Sequence, residues 1–443
     1  MNSKLNPRKA ALDVLLMVEN GAFISDALNQ VFGEYHLSEL DKALAAEIAY
    51  GTVRMQKSLD YLLNKVSRRR VDQLQPNIRS ILRLGAYQLE YLDRIPPAAA
   101  VNESVKLIPK KERRGAGGFV NAVLRNLIRK RSEIDFPSLE ADPVRHIAVK
   151  YSHPEWMVKR WVKRWGELDS IKLCETNNLN PKFHVRVNTL KITRDKLKAY
   201  FLERGINAVP AQFAPDVLIC DKSIDLASEP YFQAGYYYIQ NESSALAAHA
   251  LGPRPGETVY DLCAAPGGKS THLAQLMDNE GRVLAVDQTE AKTGLIRNNA
   301  ERLGVSIIDI RVGDAAGIEL PQADRVLVDA PCSGLGVLRH KPDARWHKTE
   351  QNIFDLAEIQ RKILGNAARL VKPGGILVYS TCTLEPEENE DMIAWLLEKY
   401  PSFQLSPLPE WFPPSQTEGM LTILPFVYGI DGFFICKIAN NLF

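Results

Sequence analysis

Long apolar runs are missing from this 443-residue chain. No stretch approaches the ~18 consecutive apolar residues that a membrane-spanning helix needs, and the first residues lack the apolar core of a secretory signal. Cysteine is also scarce: the six residues include no C-x-x-C pair and no Cys/His cluster at the spacing of zinc ligands. No pattern indicates a coiled coil. We therefore expect a cytoplasmic protein with free thiols, with no membrane partner, no metal and no oligomeric interface.

The net charge of +2 conceals an excess of basic residues in the N-terminal third of the chain. Residues 1–140 hold 22 Lys and Arg against 16 Asp and Glu, and within them residues 54–131 hold 18 basic against 6 acidic side chains. The basic residues cluster in "SRRR" (67–70), "KKERR" (110–114) and "RNLIRKR" (125–131). Such density suits nucleic-acid binding, in which neutralised phosphates release counterions. A solvated helical surface would explain the same composition.

Three parts follow one another along the chain. Helical periodicity dominates residues 1–135, where Ser38 and Asp41 form a capping box, so this part is predicted to be all-α. A short acidic stretch with two prolines separates it from residues 145–240, which mix strand-like and helical patterns and predict a small α+β module. Residues 241–443 show a different, alternating pattern.

That last part contains five short apolar runs separated by helix-length stretches: "ETVYDLC", "RVLAVD", "IDIRVGD", "RVLVDAP" and "GGILVYSTC". The alternation predicts an α/β fold with a parallel, doubly wound, Rossmann-like sheet. Two further strand-like runs near the end, "MLTILPF" and "GFFICKI", predict a terminal hairpin on that sheet.

Ligands of such sheets bind beyond the carboxyl ends of the strands. The first run leads there into "DLCAAPGGKST" (261–271), whose small residues would let a ligand approach the backbone. Its G-K-S mimics a phosphate-binding P-loop, but Cys263 stands where that pattern needs a glycine. An acidic residue after the second strand is the usual ribose ligand, so we predict an adenosine-type cofactor. Aspartates stand at the ends of the first four predicted strands: Asp261, Asp287, Asp314 and Asp329.

Cysteines follow the fourth and fifth strands, in "VDAPCSGLGVL" (328–338) and "VYSTCTLEPEENE" (378–390). A single cysteine at a buried strand end is often structural. A pair of cysteines beside Asp329 instead favours a catalytic role for the two thiols. Carbon 5 of cytosine is a poor nucleophile until a thiolate adds to carbon 6, after which it can attack the methyl group of S-adenosylmethionine. A second group then assists release. We predict that Cys332 and Cys382 face one pyrimidine ring. The residues alone do not say which thiol attacks the base and which assists release.

The stretch after Cys382 predicts a helix that begins at Pro386. The positive end of its dipole would favour a thiolate at Cys382. Glu385, Glu387 and Glu388 would act in the opposite direction on that thiol.

Several motifs together resemble the RNA 5-methylcytosine methyltransferase family: "DLCAAPGGK", "DAPCSG", "YSTCTLEPEENE", "RVNTLK" and "DGFF". The front third, with "RKAALDVLL", "LRLGAYQLEYLDRIPPAAAVNESVKL" and "GGFVNAVLRN", is similar to the NusB-type RNA-binding domain. The combination resembles a branch that methylates a cytosine of small-subunit ribosomal RNA. The resemblance covers nearly the whole chain. It implies a NusB-like domain over 1–135, a small RNA-recognition-like module over 145–240 and an S-adenosylmethionine-dependent catalytic domain over 241–443.

The resemblance also implies residue roles. Cys382 matches the thiol that bonds to the base, Cys332 the thiol that assists release, and Asp329 a residue near the base and the methionine part of the cofactor. Asp287 matches the ribose ligand and Asp314 an adenine-side contact. The cofactor loop matches a run of seven residues: Cys263, Ala264, Ala265, Pro266, Gly267, Gly268 and Lys269.

Two other functions stay open. The same chemistry could act on transfer RNA, and only the NusB-like front speaks for ribosomal RNA. A second possibility is a non-catalytic RNA-binding factor with a relict Rossmann part, against which the thiol pair and the aspartates speak.

Overall fold

The computed structural model describes residues 6–110, 113–415 and 417–441. The chain forms two units, of which the first comprises the residues up to Leu179 together with Leu338–Lys348, and the second comprises Asn180–Val337 and Thr349 onward. Two residues of the basic run 110–114, Lys111 and Glu112, lie outside the described residues. Within the described residues, none of the helices has both the length and the apolar character needed to cross a bilayer.

Helices build the first unit, as the periodicity predicts. Ser38 caps the third helix by accepting a hydrogen bond from the Asp41 amide, as the N-cap half of the predicted capping box requires. The Asp41 carboxylate accepts the Ser38 hydroxyl at 2.8 Å rather than the Ser38 amide, so the reciprocal half of the box does not form. Ile48, Leu59 and Ile81 are fully buried in its core. The helices are α1 Pro7–Glu19, α2 Ile24–Glu34, α3 Glu39–Arg54, α4 Gln56–Val66, α5 Pro76–Tyr91, α6 Pro97–Lys106, α7 Gly118–Lys130, α8 Pro143–Lys150 and α9 Glu155–Asn177.

Ion pairs use part of the basic composition of this unit internally. Arg83 is buried and binds both Asp60 and Glu19, whereas Arg68, Arg69 and the residues at 125, 129 and 130 are exposed. The exposed arginines and lysines are thus the ones available to a polyanion.

The second unit begins with a four-stranded antiparallel sheet in the order β2-β3-β1-β4. Thr193 caps the helix that follows β1 by accepting a hydrogen bond from the Lys196 amide. The elements are β1 Phe183–Val187, α10 Arg194–Glu203, β2 Ala208–Pro210, β3 Val217–Cys220, α11 Pro230–Gln233 and β4 Tyr237–Ile239.

A large mixed sheet forms the rest of the second unit, in the order β10-β12-β9-β8-β5-β6-β7, with β11 paired to β12. Its strands are β5 Thr258–Asp261, β6 Arg282–Asp287, β7 Ile308–Val312, β8 Ala323–Asp329, β9 Val371–Thr381, β10 Phe403–Leu405, β11 Met420–Ile423 and β12 Phe433–Asn440. The helices are α12 Glu242–Leu251, α13 Gly268–Leu276, α14 Glu290–Leu303, α15 Ala344–His347, α16 Glu350–Arg369, α17 Glu390–Lys399 and α18 Pro425–Tyr428, of which α15 belongs to the first unit.

The five predicted parallel strands are confirmed as β5 to β9. The terminal hairpin is also confirmed, because β11 and β12 pair antiparallel. The sequence analysis missed β10, which has only three residues and therefore little periodicity to detect.

One predicted helix start was wrong. Pro386–Glu388 forms a single 3₁₀ turn, and α17 begins only at Glu390. The cause is Asn389, whose backbone (φ −124°, ψ −98°) interrupts the helix. The dipole of α17 therefore starts eight residues after Cys382 and gives the thiol little of the help expected.

Candidate active site

The two predicted thiols lie side by side. β8 and β9 are parallel neighbours, and each strand ends in a loop that carries one cysteine. The Cys332 and Cys382 sulfurs are 3.2 Å apart, and both residues are partly exposed. This distance is within hydrogen-bond range for sulfur, so one thiol donates to the other.

Two glycines bring the backbones behind these sulfurs together. The Gly336 amide donates to the Cys382 carbonyl at 2.9 Å, and the Gly432 amide donates to the Gly336 carbonyl at 2.9 Å. A methyl group on Gly336 would lie 2.4 Å from the Gly432 carbonyl oxygen. Only residues without a side chain fit this crossing, which gives the "DGFF" motif a physical reason.

Asp329 ends β8 and carries the charge of the site. Its carboxylate binds the Lys269 ammonium at 2.7 Å through Oδ2 and accepts the Ser380 hydroxyl at 2.8 Å through Oδ1. Lys269 donates further to the Ser244 hydroxyl at 2.8 Å. Lys269, the lysine of the G-K-S sequence, thus neutralises the charge of Asp329 beside the two thiols.

The electrostatics of the pair disfavour ionisation of Cys332. The hydrogen bond with Cys382 raises the pKa of Cys332, and burial raises it further. Burial disfavours the Lys269 ammonium, but the Asp329 carboxylate outweighs this effect, and with a contribution from Cys382 the pKa of Lys269 is raised. A lysine that stays charged stabilises a thiolate nearby, while Cys332 keeps its proton.

The run Cys263–Lys269, which we call the loop Cys263–Lys269, leads from β5 into α13 and includes the first two residues of that helix. Gly267 has φ +102°, and a methyl group on Gly268 would lie 2.8 Å from the Tyr238 ring, so both positions need glycine. The Ala265 amide donates to the Asp287 carboxylate at 2.9 Å, which joins the loop to the end of β6. The Asp287 carboxylate therefore lies against the backbone of this loop.

The remaining two aspartates differ from each other. Asp314 lies two residues beyond β7, is exposed and accepts the Ala316 amide at 3.0 Å within its own turn. Asp261 is fully buried and accepts the Ser270 hydroxyl at 2.7 Å. The expectation that all four strand-end aspartates face the ligand rim is therefore wrong for Asp261, which stabilises the start of α13 from inside.

A cluster of three possible metal ligands lies elsewhere in the same unit. Asp216, His249 and His272 bring their ligand atoms within 4.8 Å of one another. His249 Nε2 is 2.9 Å from the Asp216 carboxylate, and burial lowers the pKa of His272 to about 3. Arg186 adds a positive charge close to His272, which opposes a further cation, so we assign these residues a structural role. The sequence analysis missed the cluster because its members come from separate elements.

Comparisons with known proteins agree with this geometry. The model of the 16S rRNA methyltransferase RsmB/F family matches residues 248–439. The NusB family matches residues 5–129, and the ferredoxin-like domain of RsmF/B-like methyltransferases matches residues 153–227. The probable ribosomal RNA small subunit methyltransferase B of Bacillus subtilis is 42% identical, over 99% of each chain. The chain belongs to the 16S rRNA methyltransferase RsmB/F family.

Other relatives of this RsmB/F methyltransferase agree. The ribosomal RNA small subunit methyltransferase B of Klebsiella pneumoniae is 34% identical over the full length of both chains. The crystal structure of PH0851 superimposes with a TM-score of 0.81 and 28% identity, covering 99% of this chain and all of that one. The predicted family and fold class, a NusB domain followed by a ferredoxin-like module and a Rossmann-like catalytic domain, are confirmed.

Membership makes the protein an S-adenosylmethionine-dependent RNA methyltransferase. The loop Cys263–Lys269 and the edge beside it fit this cofactor, because the Asp287 carboxylate, the kind of group that binds a ribose, lies within hydrogen-bond reach of the loop. What the motifs did not reveal is the set of side chains that hold the thiol loops, above all Gln360 and Glu388, which are both fully buried.

Proposed function

We propose that the enzyme methylates carbon 5 of a cytosine in small-subunit ribosomal RNA through a covalent bond between Cys382 and carbon 6. The observation that carries this proposal is the sulfur pair, 3.2 Å apart beyond two neighbouring strands of a methyltransferase sheet. Methylation at an exocyclic nitrogen or at a ribose would need neither thiol. The target has to leave its stack to reach the pair, as bases do in other base-modifying enzymes.

The Cys382 thiolate adds to carbon 6, which moves the electron pair of the 5,6 double bond toward carbon 5. S-adenosylmethionine would supply an electrophilic methyl group, and carbon 5 would bond to it as the bond between the methyl carbon and the sulfonium sulfur breaks, which leaves S-adenosylhomocysteine. The carbon 5 proton then leaves and the bond between carbon 6 and sulfur breaks, which restores the aromatic ring and the thiolate. Asp329, with its partner Lys269, would bind the edge of the base and the methionine part of the cofactor.

Cys332 would assist the release step. The hydrogen bond with Cys382 is the largest cause of its raised pKa, and that contact changes once the Cys382 sulfur is bonded to carbon. Cys332, which is partly exposed, would then release its own proton to solvent more readily, and as a thiolate it could take the proton from carbon 5.

For the cofactor, the proposed ligands are the loop Cys263–Lys269, Asp287 at the ribose, Asp314 beside the adenine and Asp329. In this proposal, residues 1–135 bind the RNA, residues 145–240 present it to the active site, and residues 241–443 catalyse the methyl transfer. A ribosomal RNA substrate would place the enzyme in the cytoplasm.

The test uses purified enzyme, S-adenosylmethionine labelled in its methyl group, and small-subunit RNA from cells that lack this activity. We expect label in one cytosine, located by bisulfite sequencing, and none in transfer RNA. Transfer to transfer RNA alone would contradict the ribosomal substrate, and binding without transfer would favour a non-catalytic factor.

A further inference from the structure

Cys332 lies between two backbone groups that are both held by side chains from elsewhere in the catalytic unit. The Pro331 carbonyl before it accepts the Gln360 side-chain amide at 2.8 Å. The Ser333 amide after it donates to the Glu388 carboxylate at 2.8 Å. The loop is therefore fixed on each side of the thiol, by α16 and by the 3₁₀ turn that follows β9.

Glu388 joins these two supports. Its Oε1 accepts both the Ser333 amide and the Gln360 side-chain amide, the latter at 2.9 Å, and its Oε2 accepts the Ser333 hydroxyl. Glu388 and Gln360 are both fully buried. A buried carboxyl group needs such partners, because without them its desolvation would be costly.

The same network reaches the second thiol loop. The Ser333 hydroxyl lies 2.7 Å from the Thr383 hydroxyl, and Thr383 directly follows Cys382. The Tyr379 hydroxyl of β9 donates to the Glu388 carbonyl at 2.7 Å and holds the 3₁₀ turn in place. One buried side chain thus sets the position of the residue after Cys332 relative to the residue after Cys382.

We propose that Glu388 is a positioning residue for Cys332, which it keeps against the Cys382 sulfur for the release step, and that it acts through the shape and hydrogen bonds of its carboxyl group rather than as a base. This inference rests on the proposed covalent mechanism. Burial raises the pKa of Glu388. A protonated carboxyl group and a glutamine amide could both make these contacts: one oxygen accepts from the Ser333 amide and from Gln360, and the other end donates to the Ser333 hydroxyl, which then donates to Thr383.

The experiment compares Glu388→Ala, Glu388→Gln, Cys332→Ala and the unchanged enzyme. Each is incubated with S-adenosylmethionine and the RNA, and the fraction of protein in a covalent complex is measured on a denaturing gel beside the turnover rate. Glu388→Ala should slow release by about 10- to 100-fold and accumulate the complex, because a catalytic group displaced by a fraction of an ångström loses much of its effect. Glu388→Gln should stay within about threefold of the unchanged enzyme, since it keeps the contacts.

The matched control is Glu398→Ala, which removes an exposed glutamate of α17 and should change neither readout. Equal impairment of Glu388→Gln and Glu388→Ala would overturn the proposal, because a base loses its function in both variants. Slower turnover of Glu388→Ala without accumulation of the complex would overturn it as well.

Two further variants keep the proposal testable if Glu388→Ala does not fold. Ser333→Ala removes the hydroxyl that joins Glu388 to Thr383, and Gln360→Met removes the support of Pro331, so each should accumulate the complex to a smaller extent. Thermal unfolding identifies the folded variants. Failure of Cys332→Ala to trap any complex would instead contradict the covalent mechanism itself, so the two failures are distinguishable.

Discussion

The carboxyl edge of the large sheet presents sulfur beyond β8 and β9 but carboxylates beyond β5 and β6. In the thiol half, the Gln360 amide and the buried Glu388 carboxyl group hold the Cys332 loop, and the two sulfurs are 3.2 Å apart. In the carboxylate half, Asp287 accepts a backbone amide of the cofactor loop, and Asp261 is buried beneath it. Lys269 lies at the start of α13, in the carboxylate half, and binds Asp329 at the end of β8, in the thiol half. The proposed bond-making residues and the proposed cofactor ligands thus occupy adjacent strand ends, and Lys269 lies between them.

The largest effect should follow the loss of the proposed nucleophile. Cys382→Ala removes the sulfur that would bond to carbon 6, and we expect methyl transfer to fall by about a thousandfold or more. Binding of S-adenosylmethionine, measured by calorimetry, should change little because the carboxylate half is intact. Cys436→Ala is the control, since that cysteine is buried in β12. Lost cofactor binding in Cys382→Ala would mean that the two halves are not separable.

The second thiol should give a different result. Cys332→Ala leaves the attack possible and removes the help in release, so turnover should fall by about a hundredfold while a covalent protein–RNA complex accumulates. A denaturing gel with labelled RNA shows the complex, and protease digestion with mass spectrometry should locate the bond at Cys382. A complex from Cys382→Ala in place of Cys332→Ala would reverse the roles.

Lys269 offers a way to disturb both halves at once. Lys269→Met leaves Asp329 without its cation and removes a positive charge that favours a thiolate at Cys382, so we expect kcat to fall about tenfold and KM for S-adenosylmethionine to rise about tenfold. Lys292→Met is the matched control, because Lys292 is half-exposed and forms an ion pair with Asp287 at 3.1 Å. That control should raise KM by less than about threefold and leave kcat unchanged. Equal effects of the two substitutions would contradict a special place for Lys269.

The sequence predicts the strand-end residues of the site well and the side chains that support them poorly. Strand ends are readable from local patterns, so Cys332, Cys382 and Asp329 could be placed on one edge from the order of strands and helices alone. Their supports could not: Gln360 lies inside a helix, and Glu388 looked like an exposed helix-start residue that opposes the thiolate. Burial reverses that interpretation, since its carboxylate faces Ser333. Contacts between residues 28 and 55 positions apart depend on how the elements pack, which periodicity does not encode.

The smallest effect concerns Asp261, and it separates a structural carboxyl group from the cofactor-binding ones. Burial raises the pKa of Asp261 to about 7. In the unfolded chain the group loses its proton near pH 4, so between about pH 4 and 7 the folded state binds more protons and the free energy of unfolding must fall as the pH rises. The loss approaches about 4 kcal/mol over the window, at about 1.4 kcal/mol per pH unit, and no further loss from this group follows above pH 7.

Asp261→Asn carries no such proton, so its denaturant unfolding curves at pH 4.5, 5.5, 6.5 and 7.5 should show a shallower decline in stability than those of the unchanged protein. Asp309→Asn, at an exposed position of β7, should keep the original slope. The amide can still accept the Ser270 hydroxyl, so methyl transfer at pH 8 should be nearly unchanged, as expected for a residue that only supports α13. If Asp261→Asn instead raised KM for S-adenosylmethionine as much as Asp287→Asn does, Asp261 would belong to the cofactor site after all. Its buried carboxyl group would then contact the cofactor rather than only support α13.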